Sequence, residues 1–111
     1  MNAKEIAEKA AQLVSGDREA QHGDKVTNHE KIAALWDAYI RIRPPGPMRG
    51  LDVANMMELL KIARRCLGAH NLDDYIDGAG YAACAGEIAE RAIYPLRGKT
   101  DPFGIIPGGA A

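Results

Sequence analysis

The stretch from Arg43 to Gly50, RPPGPMRG, contains three prolines and two glycines in eight residues. Proline lacks a backbone N–H and clashes with the preceding helical turn, so a segment of this composition ends a helix. The glycine-bounded polar stretch Gly16 to Asp24 and the glycine at position 68 give two further breaks. Between the breaks, apolar residues recur at spacings of three and four, which predicts helices. Four helices are expected, at about 2–15, 27–42, 51–67 and 72 to 93 or 94.

Capping residues support three of these helix starts. Asn2 with Glu5, and Thr27 with Glu30, have the spacing of a capping box. Asn71 is a good N-cap residue, and Asp74 then falls at the third helical position.

No segment shows the alternation of apolar and polar residues that a half-buried strand requires. The prediction is therefore an all-α fold, an antiparallel four-helix bundle over residues 1–96, because short connections make successive helices antiparallel. A chain of 111 residues suffices for one such domain. Residues 97–111 are rich in glycine and proline and are expected to form an extended or mobile tail.

The composition gives no reason to expect nucleic acid or a membrane as a partner. The net charge is -1, and no segment is apolar for long enough to cross a bilayer. Cys66 and Cys84 have neither metal-site nor redox spacing, so a reduced cytoplasmic protein is expected. Met1 to Val14 mixes charged and apolar residues and does not have the pattern of a signal peptide.

Three predicted helices carry polar residues on the face that should be buried. The polar residues are His29 on the second helix, Lys61 and Arg64 on the third, and Asp74, Asp77 and Tyr81 on the fourth. In an antiparallel bundle these residues lie at one shared end, near the loop that begins at Gly16.

Two interpretations of this polar end stay open. A buried charge without a partner costs several kcal/mol, so Lys61 and Arg64 are expected to pair with Asp74 and Asp77. In the first interpretation, these pairs simply close the end of the bundle. In the second, the carboxylates hold a divalent metal ion and the cations bind phosphate. Glycine in a helix costs about 1 kcal/mol relative to alanine, so the two glycines at 78 and 80 indicate close approach by a helix or a ligand.

Several of these residues have a structural alternative. Asp74 fits a capping role with Asn71, whereas Asp77 lies too far into the helix for that role. Glu30 is better explained as a capping residue than as a ligand. His29 fits a hydrogen-bonded core histidine as well as a ligand-facing one, and Glu58 fits a solvated surface position.

The segments SGDREAQHGD, NHEKIAALWDAY, DVANMMELLKIAR and DDYIDGAGYAA, in this order, resemble small phage and prophage proteins of uncharacterised function. That group is similar to the all-α nucleoside triphosphate pyrophosphohydrolases, the MazG-like superfamily. The resemblance covers about Val14 to Ile93. It implies a four-helix core, a homodimer or homotetramer, and Mg²⁺-dependent cleavage of a nucleoside triphosphate, ribo or deoxyribo, to the monophosphate and pyrophosphate.

The superfamily holds Mg²⁺ with a Glu-x-x-Glu pair on one helix and a Glu-x-x-Asp pair on a later one. Asp74 and Asp77 resemble the second pair. Glu58 and Lys61 occupy the first pair's spacing on the third helix, with lysine where the second carboxylate stands in the family. The resemblance thus implies Asp74, Asp77 and Glu58 as metal ligands, with catalysis by Asp77, Asp74 and Lys61.

The nucleotide would contact residues from the loop and the inner faces of the helices. Lys61 and Arg64 would neutralise phosphate charge, because an arginine fork and a lysine point charge bind phosphate in complementary ways. The other expected nucleotide-binding residues are Asp17, Arg18, His22, Asp24, His29 and Tyr81.

Two other classes of function stay open. The first is a module that binds a nucleotide without cleaving it, which Lys61 favours because a lysine can take the place of the metal ion. The second is a structural phage protein that forms a helical bundle.

Overall fold

The structure, a computed structural model, describes residues 1–15 and 24–93. These residues form four α-helices and no strand, which confirms the all-α prediction for this part of the chain. The helices are α1 (Ala3–Val14), α2 (Lys25–Ile42), α3 (Gly50–Arg65) and α4 (Leu72–Ile88), and α4 continues into a π-helical turn at Ala89–Ile93. The predicted tail at 97–111, and its boundary with the domain, lie outside the described residues.

The N-caps of α1 and α4 are those that the sequence predicts. The side chain of Asn2 accepts a hydrogen bond from the Glu5 N–H at 2.9 Å, and that of Asn71 accepts one from the Asp73 N–H at 3.0 Å. Each bond satisfies one of the backbone donors that a helix start leaves unpaired.

The predicted start of α2 is wrong by two residues. The helix begins at Lys25, and Asp24 is its N-cap, because the Asp24 carboxylate accepts hydrogen bonds from the Thr27 N–H and hydroxyl at 3.0 and 3.2 Å. The bond from the Thr27 backbone N–H is the main reason that the pKa of Asp24 lies below its usual value. Thr27 is therefore an interior residue of the first turn.

Helix α3 is the centre of the fold and packs against both α2 and α4. Side chains fix its antiparallel register with α2, since the Trp36 indole N–H donates to the Met56 carbonyl at 2.7 Å and the Tyr39 hydroxyl donates to Asp52 at 2.6 Å. Lys61 pairs with Asp77, a residue of α4, while Arg65 lies beside Asp74 near the start of α4. Helices α3 and α4 are therefore antiparallel as well.

Helix α1 contributes no buried residue, so the described part of the structure has a three-helix core. The buried apolar residues are few and mostly small: Ile32, Ala54, Ala63 and Ala85. The bundle predicted from the sequence, with four helices sharing one core, is not what the described residues form.

Candidate functional site

The candidate site lies where the last turns of α3 face the first turns of α4. The Lys61 ammonium is 3.0 Å from the Asp77 carboxylate, and the lysine side chain is 12% exposed against 48% for the aspartate. The predicted pairing is therefore confirmed for Lys61 and Asp77, whereas no ion pair joins Arg64 to Asp74 or Asp77 among the described residues. In the Lys61–Asp77 pair the cation is the more deeply buried partner, and the carboxylate opens to solvent.

Gly78 explains how α3 and α4 come so close at this point. A Cβ atom at residue 78 would overlap the Nη2 atom of Arg65 and would lie 3.6 Å from the Lys61 Cβ. The close approach predicted at Gly78 is therefore confirmed, and the approaching element is helix α3. At Gly80 the corresponding space is open, so no helix of the described residues approaches there, and approach by a ligand stays a prediction.

Arg65 is a central residue of the site and is not among the residues predicted from the sequence. Its Nη2 donates to the Asp74 carbonyl at 3.3 Å, and its guanidinium carbon lies 4.5 Å from the centre of the Tyr75 ring. The available signal was its spacing of four residues from Lys61, which places both cations on one face of α3.

Asp74 is 3% exposed, the least of any charged residue in the described chain. Besides the bond from Arg65 to its carbonyl, its own N–H donates to the Asn71 carbonyl at 3.1 Å, as expected in the first turn of a helix. The two carboxylates of the site therefore differ in environment, with Asp74 buried and Asp77 half-exposed.

Three buried polar atoms have no hydrogen-bond partner among the described residues: Asn28 Oδ1, Arg64 Nε and Arg65 Nε. An unpaired buried polar atom costs about 1–3 kcal/mol, so such atoms require an explanation. Two of the three are arginine donors on the last turn of α3, three and four residues after Lys61.

The third atom, Asn28 Oδ1, belongs to the same end of the bundle. The Trp36 indole N–H is hydrogen-bonded to the Met56 carbonyl, and when the antiparallel register is continued by two helical turns, Asn28 of α2 comes opposite Arg64 of α3. Asn28 is only 5% exposed. Unpaired polar atoms from α2 and α3 therefore occur at the end of the molecule where α4 places Asp74 and Asp77.

The predicted position of His29 on the inner face is wrong. His29 is exposed, and its Nδ1 lies 2.7 Å from the Lys25 carbonyl of its own helix. The inner face of α2 is shifted by one residue and contains Asn28, Ile32, Trp36 and Tyr39. Ala33 and Ile40, which the sequence pattern places on this face, are exposed because only α3 covers the helix.

The remaining predicted site residues occupy mixed positions. Arg64, Glu58 and Tyr81 are half-buried, and Asp24 caps α2 at an exposed position. Asp17, Arg18 and His22 lie outside the described residues.

Within 1–15 and 24–93, no three His, Cys, Asp or Glu side chains come together as a metal site, and Mg²⁺ binding by Asp74, Asp77 and Glu58 stays a prediction. The group that lies beside the Asp77 carboxylate is the Lys61 ammonium. Lys61, Arg64 and Arg65 place three cationic groups within the last turns of α3, and the two arginines each have a buried Nε–H donor without a partner among the described residues. Such donors favour an anionic ligand.

A second and more deeply buried ion pair lies at the opposite end of α3, and the sequence pattern does not predict it. Arg43 binds both carboxylate oxygens of Asp52, at 2.9 and 3.1 Å, and the Tyr39 hydroxyl and Arg49 N–H donate to the same carboxylate. Burial works to raise the pKa of Asp52, but the hydrogen bonds from Arg43 and Tyr39 outweigh it and hold the pKa below its usual value.

The same network changes the pKa of both donors to Asp52. Burial, followed by the hydrogen bond to Asp52, raises the pKa of Tyr39, and the hydrogen bond to Asp52 raises the pKa of Arg43. Arg43 also donates to the carbonyls of Gly46 and Pro47, each at 2.9 Å. Because all groups of this cluster are paired and tie the proline-rich loop to α3, its role is structural.

These features define an all-helical protein with a cationic interhelical site. The chain belongs to the family described as "Domain of unknown function (DUF6378)", whose model matches residues 5–89. It is similar to the "Gene 55 protein" of Mycobacterium phage L5, with 44% identity over 88 residues, 78% of this chain and 54% of that protein. It is 34% identical to the "Gene 55 protein" of Mycobacterium phage D29 over 102 residues, 92% of this chain and 65% of that protein.

The chain thus spans between half and two thirds of the length of these two phage relatives. No solved structure matches it. None of the described helices is long and apolar enough to cross a membrane.

Proposed function

We propose that this protein binds a phosphate-bearing small molecule, a nucleotide, at the interhelical site formed by α2, α3 and α4. The observation that carries the proposal is the set of buried polar atoms without partners among the described residues: Asn28 Oδ1, Arg64 Nε and Arg65 Nε. Phosphate oxygens are acceptors for arginine and lysine donors, and the resulting hydrogen bonds are charge-assisted. A nucleotide also offers donors for an asparagine oxygen.

The cations differ in what they contribute to such a site. Arg64 and Arg65 carry planar guanidinium groups, which bind two oxygens at once, whereas Lys61 supplies a compact charge that Asp77 orients. Because Lys61 occupies the position beside Asp77, binding does not require a metal ion. The function that this geometry supports best is nucleotide binding without hydrolysis.

A thermal-shift panel tests this proposal. Inorganic tripolyphosphate and the four common nucleoside triphosphates are each added to the full chain, with Mg²⁺ and with a chelator. A ligand that binds only the folded state raises the melting temperature. A rise that persists in the chelator supports the proposal, and the absence of any shift leaves a structural role for the bundle.

The MazG-like pyrophosphohydrolase that the sequence resemblance implies is the second candidate. It is favoured by Asp74 and Asp77, which lie one turn apart on α4 at the cationic site. Mg²⁺-dependent release of pyrophosphate from a nucleoside triphosphate, abolished in Asp77→Asn, would establish this activity in place of simple binding. The host cytoplasm, where nucleotides are abundant, is the location that we propose for either function.

Gly78→Ala is predicted to weaken ligand binding without unfolding the protein. The added Cβ displaces the Arg65 guanidinium, which is the movable end of a side chain, and alanine adds about 1 kcal/mol of helix propensity. We expect the affinity for tripolyphosphate to fall about tenfold, while the free energy of unfolding changes by less than about 1 kcal/mol. Titration calorimetry and urea unfolding measure the two effects.

Gly80→Ala is the matched control, because the space at Gly80 is open. It should stabilise the chain by a similar helix propensity and leave the affinity unchanged. Equal affinities for both variants and the wild type would show that the Arg65 position has no role in binding.

We also propose that the chain self-associates through the apolar face of α1, which contains Ile6, Ala10 and Leu13. Every residue of α1 is exposed, although α1 is amphipathic, and few apolar residues are buried elsewhere in the described chain. An amphipathic helix normally buries its apolar face. Lys9 borders this face, in keeping with an acidic group on the partner surface.

A groove on α2 fits α1 of a second copy. Its lining residues are Glu30, Ala33, Ala34, Trp36, Asp37 and Ile40. The lining is mostly apolar, and its Glu30 carboxylate offers a partner for Lys9. Reciprocal exchange of α1 between two copies would bury both faces in a closed two-fold dimer.

Leu13→Lys is predicted to shift the protein from dimer toward monomer. A charge placed on the apolar face loses its hydration when the face is buried, so the dimer dissociation constant should rise at least about tenfold. Sedimentation velocity across a concentration series measures it. Gln12→Lys adds the same charge on the polar face and should leave the dimer intact, and a wild-type chain that remains monomeric throughout contradicts the proposal.

A further inference from the structure

An aromatic pair borders the cationic site at the start of α4. The ring centres of His70 and Tyr75 lie 6.0 Å apart, with their planes inclined at 43°. His70 is exposed, and Tyr75 is 47% exposed although it has a large apolar ring. The neighbouring segments of α3 and α4 leave these two rings accessible from solvent.

Arg65 connects the aromatic pair to the cationic site. Its guanidinium group lies over the Tyr75 ring, with 4.5 Å from the guanidinium carbon to the ring centre, while its Nη2 donates to the Asp74 carbonyl at 3.3 Å. Its Nε is buried and has no partner among the described residues. One side chain thus contacts the exposed ring and also provides an unused donor to the proposed phosphate site.

We propose that His70 and Tyr75 form a stacking subsite for the planar base of a nucleotide whose phosphates bind Lys61, Arg64 and Arg65. This inference rests on the proposed function and adds the residues that recognise the base. Aromatic rings stack on the faces of nucleotide bases, largely without regard to which base it is, and the plane of an arginine guanidinium contributes in the same way. The cation beside the ring places the aromatic and phosphate subsites in contact, as the short connection between a base and its phosphates requires.

The subsite predicts a preference for nucleotides over phosphate chains of equal charge. Stacking on one aromatic ring changes affinity by about tenfold or more. The wild-type chain should therefore bind at least one nucleoside triphosphate about tenfold more tightly than inorganic tripolyphosphate. Titration calorimetry in a chelating buffer measures both affinities.

Tyr75→Leu is the decisive variant, since it keeps an apolar side chain at a half-exposed position. It should weaken the preferred nucleoside triphosphate about tenfold and change tripolyphosphate binding by less than about twofold. Ile76→Ala is the matched control, because Ile76 is also exposed on the first turns of α4. It should change neither affinity.

The outcomes separate the two proposals. A Tyr75→Leu variant that loses affinity equally for both ligands, or for neither, overturns the stacking subsite, as does a wild-type chain with equal affinities. If tripolyphosphate still binds in those cases, the phosphate site stands. A wild-type chain that binds neither ligand overturns both proposals.

Discussion

Arg64→Met is expected to reduce nucleotide affinity by about 30-fold while leaving the unliganded protein as stable as the wild type or slightly more stable. A charge-assisted hydrogen bond contributes about 1.5–3 kcal/mol, which gives a change of this order in the dissociation constant. The stability result has a separate cause. Arg64 Nε is buried and has no partner among the described residues, so methionine removes an unsatisfied donor and keeps most of the packing volume.

The two measurements together distinguish a binding role from a structural one. An arginine that serves only to hold the helices together should lower the melting temperature when it is replaced, with no separate effect on affinity. Arg41→Met is the matched control, because Arg41 is an exposed arginine that pairs with Asp37 one turn away on α2. Arg41→Met should leave both the nucleotide affinity and the melting temperature nearly unchanged. A clear loss of stability in Arg64→Met with unchanged affinity would contradict the proposed site.

Asp52→Asn is expected to destabilise the fold by about 3 kcal/mol and to leave nucleotide binding by the folded chain unchanged. Asp52 is 6% exposed and holds Arg43, Tyr39 and the Arg49 N–H through four hydrogen bonds. Removing one charge of a buried pair leaves the other without compensation, and that is the costly case. Urea unfolding of the variant and the wild type gives the difference in free energy.

Asp52 also makes the stability of the fold depend on pH. The pKa of Asp52 is lower in the folded state than in the unfolded chain. The contribution of Asp52 to the free energy of unfolding is therefore present above the unfolded-state pKa of about 3.9, and it is lost as the pH falls through the folded-state pKa. Wild-type stability should therefore fall more steeply than that of Asp52→Asn below about pH 4. Asp37→Asn, at an exposed pair, should follow the wild-type curve with a loss under about 0.5 kcal/mol. A parallel acid response in Asp52→Asn would contradict this assignment.

The candidate site was predictable in part from local spacing. Lys61 and Asp77 were expected to pair across two helices, and they do, because opposite charges on facing helices of adjacent segments have few other partners. The role of Gly78 also followed from its cost in a helix, which only a close neighbour explains. By contrast, Asn28 and Arg65 were missed because a three- and four-residue pattern defines a face only to within one position.

The sequence by itself determined the four helices of the described residues, the break at Arg43–Gly50, and the caps Asn2 and Asn71. These features depend on residues within a few positions of each other, so local sterics and hydrogen bonds decide them. The tertiary structure decided which faces are covered. Because α3 lies between α2 and α4, both of its sides are interfaces, and Asp52 at one end and Lys61 and Arg65 at the other become interior charges. Which neighbour covers a helix depends on contacts between residues far apart in the chain, and periodicity within one helix does not contain that information.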